Sequence, residues 1–246
     1  MAVTIRASVR EAGFVVPSLV LGLAIVLAAI LFGLFHYRSR AARDTIQVTG
    51  VANQPFDSDV VKWRVVLSRQ VGPTALREGY TQLAADLEAL MRNFEDAGIA
   101  EGDIGVQPVN AYPRFDNFGE RVGFNLQQSV YVISNQVPLL EGLALNPNQL
   151  IEQGIVLESS QLEYFYSRID SLKHDLLARA TEDARRRAER IATGSGLSID
   201  RIASARAGVF QITEPYSTEV TDYGVHNTTS KKKEITVTVH ATFVAD

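Results

Sequence analysis

With four histidines and no cysteine, the chain has few ways to build a reactive centre. A thiol nucleophile and a thiolate metal site are both excluded. His174 lies four residues after Asp170 and one before Asp175, so on a helix Asp170 and His174 would share a face. That is the spacing of a metal-ligand pair, but no third ligand stands nearby in sequence, and a surface ion pair is the expected role. His36, His226 and His240 are scattered over an apolar exit, a loop and a strand. There is no HExxH run, no Gly-x-Ser-x-Gly elbow and no phosphate-binding loop. Gly194-Ser195-Gly196 reads as a helix stop. No catalytic, cofactor-binding or metal-ligating residue is assigned.

Two basic clusters invite a binding role. Arg185-Arg186-Arg187 and Arg190 are interspersed with Glu182, Asp183 and Glu189. Glu182–Arg186 and Asp183–Arg187 have the favourable i,i+4 order, so a solvated ion-pair face is expected, with a subunit contact as the alternative. Lys231-Lys232-Lys233 could attract anionic headgroups near a membrane, or serve as a charged strand entry that discourages edge pairing. Asn227-Thr228-Thr229 matches a glycosylation acceptor without further support. The polar stretch from Glu214 to Ser230 carries Tyr216 and Tyr223. A connection of that length is often functional, and its aromatics suit an assembly arm or a flexible loop. With net charge −4 and pI about 5.6, no surface is basic enough for nucleic acid as a partner.

The elements around these residues begin with an anchor. Residues 12–35 carry no charged side chain. At about 1.5 Å per residue the run makes a helix of about 36 Å, enough to cross a hydrocarbon core of about 30 Å. A cleaved signal peptide has a shorter apolar region and a small-residue cleavage site, whereas this run exits through Phe35-His36-Tyr37-Arg38. The reading is a tail at 1–12, an uncleaved signal anchor at 13–37 held by membrane lipid, and a linker at 38–44. Flanking arginines nearly balance across the span, so the positive-inside rule does not orient it.

Residues 45–246 read as one α+β body with antiparallel or mixed sheets and packed helices, in two halves at about 45–137 and 138–246. Ile46, Val48 and Gly50 open a strand that ends at an Asn53-Gln54-Pro55 turn. Val61, Trp63, Val65 and Leu67 share one face of the next strand. Thr74 is placed to cap a helix whose stripe is Leu76, Tyr80, Leu83, Leu87, Leu90 and Phe94, ending at Gly98. Ile104 to Phe115 and Val122 to Val132 form a hairpin around Asp116-Asn117-Phe118-Gly119. The second half offers a short helix near 147–153 and a strand within 155–166. A long helix follows from Ser167 to Thr193, with the stripe Ile169, Leu172, Leu176, Ala180, Ala184, Ala188 and Ile191. Its alanines permit close approach to another backbone. Ile202 to Ile212 is extended, and Ile235 to Phe243 alternates as a last strand.

Several of these stretches, in this order, resemble the SIMPL-domain family of bacterial envelope proteins. The carriers are Ile46-Gln-Val-Thr-Gly50, Ala97-Gly-Ile-Ala-Glu-Gly-Asp-Ile104, Tyr164-Phe-Tyr-Ser-Arg-Ile-Asp-Ser-Leu-Lys173, Ala180-Thr-Glu-Asp-Ala-Arg-Arg-Arg-Ala-Glu189 and Lys233-Glu-Ile-Thr-Val-Thr-Val239. The resemblance implies no catalytic residues. It implies a periplasmic or outer-membrane-associated body, ring assembly in some members and stress tolerance in others. The expectation is therefore a non-enzymatic protein of the inner membrane with its C-terminal domain in the periplasm. That domain is expected to self-assemble as a homo-oligomer that supports the envelope. Alternatives are an accessory subunit docked on a membrane protein such as a transporter or protease, and an enzyme using dispersed residues.

Overall fold

The computed structural model describes residues 12–40 and 45–246. Helix α1 (Ala12–Arg40) contains the run Pro17–Phe35, long and apolar enough to cross a membrane. It continues past the anchor limit at 37. Residues 1–11 of the expected tail and 41–44 of the expected linker lie outside the described residues.

The soluble elements follow as β1 (Thr45–Asp57), β2 (Val60–Val71), α2 (Leu76–Asp96), β3 (Ile104–Val106), β4 (Asn110–Phe115), β5 (Arg121–Ser134), α3 (Val137–Leu145), α4 (Asn148–Glu152), β6 (Leu157–Phe165), α5 (Ile169–Gly194), β7 (Ile199–Ala207), β8 (Gln211–Thr213) and β9 (Lys232–Ala245). This is the expected mixture of antiparallel sheets and helices. The chain divides into two compact units. One holds Met1–Gln47, Ala188–Ala203 and Thr242–Asp246; the other holds Val48–Arg187 and Ser204–Ala241.

One five-stranded sheet has the order β3-β5-β2-β6, with β4 also on β5. Its pairings to β2 and β5 are antiparallel, with Val61 opposite Ser134 and Val71 opposite Phe124. The β2 face formed by Val61, Trp63, Val65 and Leu67 is buried, as its alternation predicts. Leu83, Leu90 and Phe94 of α2 pack on it with Leu126, Val130, Val132, Leu140 and Leu150. The Trp63 and Phe94 rings meet edge to face at 5.5 Å.

The α2 stripe differs in its first turns. Tyr80 is exposed, and Gly79 and Asp86 are buried in its place. A Cβ on Gly79 would press into Leu126 and Val71, so the helix approaches the sheet too closely there for a ring. Thr74 is not the cap: Ala75 holds that position without a side-chain hydrogen bond. Gly98 ends the helix at φ +81°, a left-handed conformation that glycine adopts without cost.

The second sheet has the order β1-β9-β7, with β8 also paired to β9. The expected turn at Asn53-Gln54-Pro55 is instead continuous strand, because an edge strand tolerates the missing amide of Pro55. Leu172, Leu176 and Ala180 of α5 cover Ala52, Ile212, Ile235, Val237 and Val239. The alanine seam behaves as its spacing predicts. A Cβ on Gly50 would fall inside contact distance of Ala180 O and Ala184 N. The stripe closes on buried Ala192, with Ile191 exposed. Helix α3 is an element that the sequence reading missed, and the break at residues 208–210 divides the expected 202–212 extension into β7 and β8.

Candidate functional site

His174 and Asp170 lie on the exposed side of α5, and Asp170 is 3.9 Å from Lys173. Among the described residues no three His, Asp or Glu side chains are grouped to hold a metal. Gly194 ends α5, Gly196 takes φ +74°, and the Ser195 hydroxyl donates to Ile191 O at 3.1 Å. The helix-stop reading of that tripeptide therefore stands.

The arginine-rich turn of α5 forms the expected ladder: Arg186–Glu182 at 3.4 Å and Arg187–Asp183 at 2.7 Å. It also does something the pattern did not disclose. Asp183 accepts the Val51 amide at 3.0 Å, fastening α5 to β1 one residue beyond Gly50. That backbone hydrogen bond, aided by Arg187, holds the Asp183 carboxyl below its usual range against the opposing effect of burial.

The three lysines have separate fates. Lys231 bonds Glu141 at 3.0 Å, and the same carboxylate accepts the Tyr164 hydroxyl at 2.9 Å. Burial first, then Glu141, pushes the Tyr164 phenol up to about 12. Lys232 is exposed. Lys233 is only 2% exposed and donates to Asn227 O, with burial alone pulling its ammonium down to about 8. Burial first, then Lys233 and Lys173, likewise lower His226 and favour its neutral imidazole. A contiguous lysine patch offered to lipid headgroups is thus not what the side chains form.

Asn227 makes the Glu214–Ser230 connection a tied loop. Its amide bonds Ile212 O at 2.9 Å, its carboxamide oxygen accepts the Thr229 and Ser230 amides, and its Nδ2 donates to Glu214 at 3.0 Å. Gln211 closes the other side through Thr221 O at 2.7 Å and the Val225 amide at 2.8 Å. On this frame Tyr216 and Tyr223 stand 98% exposed, and Tyr216 takes φ +65°, an uncommon conformation for a bulky residue. Beside the loop a groove of about 420 Å³ is lined by Arg206, Asp222, Thr236, Thr238 and His240. His240 Nδ1 lies 2.9 Å from the Thr49 hydroxyl.

The β4–β5 hairpin is the other exposed feature. All six β4 residues are exposed, Tyr112 and Phe115 among them, and Phe118 at the turn is 91% exposed. Asp116 shapes that turn by accepting the Phe118 and Glu120 amides, each at 2.9 Å. Val106 and Val122 are also exposed. Alternation placed the hairpin, but a single strand's pattern does not say that its aromatic residues stay uncovered.

The family model described as "SIMPL: Protein of unknown function (DUF541)" matches residues 46–243, nearly all of the soluble chain. No curated protein matches the chain. The match runs from within β1 to within β9 and covers the stretches that carried the sequence resemblance. This chain belongs to the SIMPL family.

Proposed function

We propose that this is a non-enzymatic, membrane-anchored envelope protein whose SIMPL body self-assembles into a homo-oligomer. Helix α1 stays uncleaved in the inner membrane and holds the body in the periplasm, where assembly supports envelope integrity. A ring is the form that the family resemblance suggests. The observation that carries the assembly reading is the uncovered β4–β5 hairpin, with Tyr112, Phe115 and Phe118 in water. Aromatic side chains of this kind are enriched at protein interfaces. A tether also raises the effective concentration of weak contacts, so modest surfaces suffice. Light scattering on the full chain in detergent tests this: a multiple of the 27.0 kDa protomer mass is expected, and a protomer at all concentrations defeats it.

A second reading is an accessory subunit that docks on a transporter or protease. The tied loop favours it, because Tyr216 and Tyr223 are held out on a fixed frame. A stoichiometric membrane-protein partner lost on Tyr216→Ser/Tyr223→Ser would support it; recovery of the chain alone from gently solubilised membranes would not.

A further inference from the structure

Strand β7 is an edge of the β1-β9-β7 sheet, and each residue from Asp200 to Ala207 is exposed. Among the described residues nothing pairs with its outer side. An open row of N–H and C=O groups is a template for another strand, which is why edges are usually short, covered or interrupted by proline. The nine residues of β7 contain no proline, and Ala203, Ser204, Ala205 and Ala207 leave the backbone accessible. Gly208 donates its amide to Thr238 O at 2.8 Å. By alternation, the odd-numbered residues of β7 turn their N–H and C=O groups to the free side.

We propose that β7 is a self-complementary docking edge, on which a second copy of this chain lays its own β7 antiparallel and centred on Ala203. The proposal rests on the self-assembly reading and adds to it one specific contact, separate from the β4–β5 hairpin. With that centre all nine residues find partners: Ile199 faces Ala207, Asp200 faces Arg206, Arg201 faces Ala205 and Ile202 faces Ser204. The odd residues form the hydrogen-bonded pairs. The even ones form the closer pairs, with Cα atoms about 4.5 Å apart. Asp200 and Arg206 therefore meet twice, once on each side of a two-fold axis. Asp200 has only a 3.7 Å contact with its neighbour Arg201, and Arg206 has no carboxylate partner among the described residues. A slip by two residues, the smallest that keeps odd residues opposite odd ones, would set Asp200 opposite Ser204 or Arg206 opposite Ile202 and lose both attractions, so the charges select the register. The contact is isologous and closes on itself as a dimer. One strand pair is smaller than the about 1,200–2,000 Å² of a stable soluble interface, so the contact depends on tethering to one bilayer.

The test uses the full chain in liposomes. The native sequence has no cysteine. Ala203→Cys would place two thiols across the axis at a Cα separation of about 5.5 Å, within disulfide range. Oxidation is expected to give a covalent dimer at several-fold the yield of Tyr216→Cys, which reports random collision. On the Ala203→Cys background, Asp200→Arg alone and Arg206→Asp alone are each expected to fall to that collision level, because each sets like charges against each other twice. Reconstituting those two chains together restores the dimer, since one then carries cations at both paired positions and the other carries carboxylates at both. Recovery on mixing also shows that both variants fold. If Ala203→Cys does no better than Tyr216→Cys, or charge reversal leaves the yield unchanged, the β7 contact is overturned. Light scattering then separates the readings: an oligomer without this crosslink removes the contact and keeps self-assembly, whereas a protomer removes both.

Discussion

Lys233 is a buried ammonium that has a carbonyl partner but, among the described residues, no ion-pair carboxylate. Its ionised form is therefore less favoured in the folded protein than in the unfolded chain, where the ordinary value of 10.5 holds. Between about 8 and 10.5 the unfolded state binds more protons, so stability rises with pH across that window. The cost of keeping the charge below pH 8 is on the order of 3 kcal/mol. Urea titrations at pH 7 and pH 10 should show the native chain gaining stability relative to Lys233→Met, which has no such slope; parallel pH profiles would contradict this. Gly50 sets a second residue-scale constraint. Gly50→Ala would drive a methyl into the α5 backbone at Ala180 and Ala184, and a loss of about 3 kcal/mol is expected in denaturant unfolding. The glycine was legible as a strand residue and the alanines as a seam. That the two face each other was not, because more than a hundred residues separate them.

At the scale of elements, α2 is fixed to its sheet by more than its apolar stripe. Arg69 of β2 holds Asp86 through two hydrogen bonds, at 2.6 and 2.7 Å, and also reaches Gly154 O at 3.0 Å. The Asp86 carboxylate leads in raising the Arg69 guanidinium above its usual value. Asp86→Ala would strand the partly buried cation, and a loss of about 3 kcal/mol is expected by the same unfolding measurement. Asp86→Asn keeps part of the hydrogen bonding and should cost less. Periodicity marked Leu83, Leu90 and Phe94 correctly, because burial of an apolar side chain follows from its place on the helix. It left out Asp86 because a buried charge is acceptable only where a partner from another strand arrives. The same limit explains Pro55: turn chemistry is a local preference, and position at a sheet edge overrides it. The tied loop is a further case. Its composition reads as a free connection, but Asn227 and Gln211 make it a fixed platform. Asn227→Ala is expected to speed proteolytic cleavage between Glu214 and Ser230 by several-fold while the helices persist by circular dichroism; an unchanged cleavage rate would count against that role.

For the whole molecule, α1 is the element whose role follows most directly from composition. Pro17–Phe35 is apolar all round and exposed along its length. Leu23→Arg with Leu27→Arg would place two cations near the middle of the span, each costing about 2.5–3.5 kcal/mol to insert. Carbonate-washed membranes should retain the native chain and lose this variant; retention of both would remove the anchor from the proposal. The sequence by itself determined the lipid-compatible helix, the α+β class, the apolar faces of β2, α2 and α5, and the family. Each depends on side-chain type and short spacing, which act through local geometry and burial. Only the tertiary structure decided which polar groups meet and which surfaces stay open. It took Lys233 into the core, sent Asp183 to Val51, paired Asp86 with Arg69, and left β7 and the β4–β5 hairpin uncovered. The physical reason is that a hydrogen bond or ion pair needs its two partners within about 3–4 Å, and the topology that brings distant segments together is not encoded in the periodicity of either one.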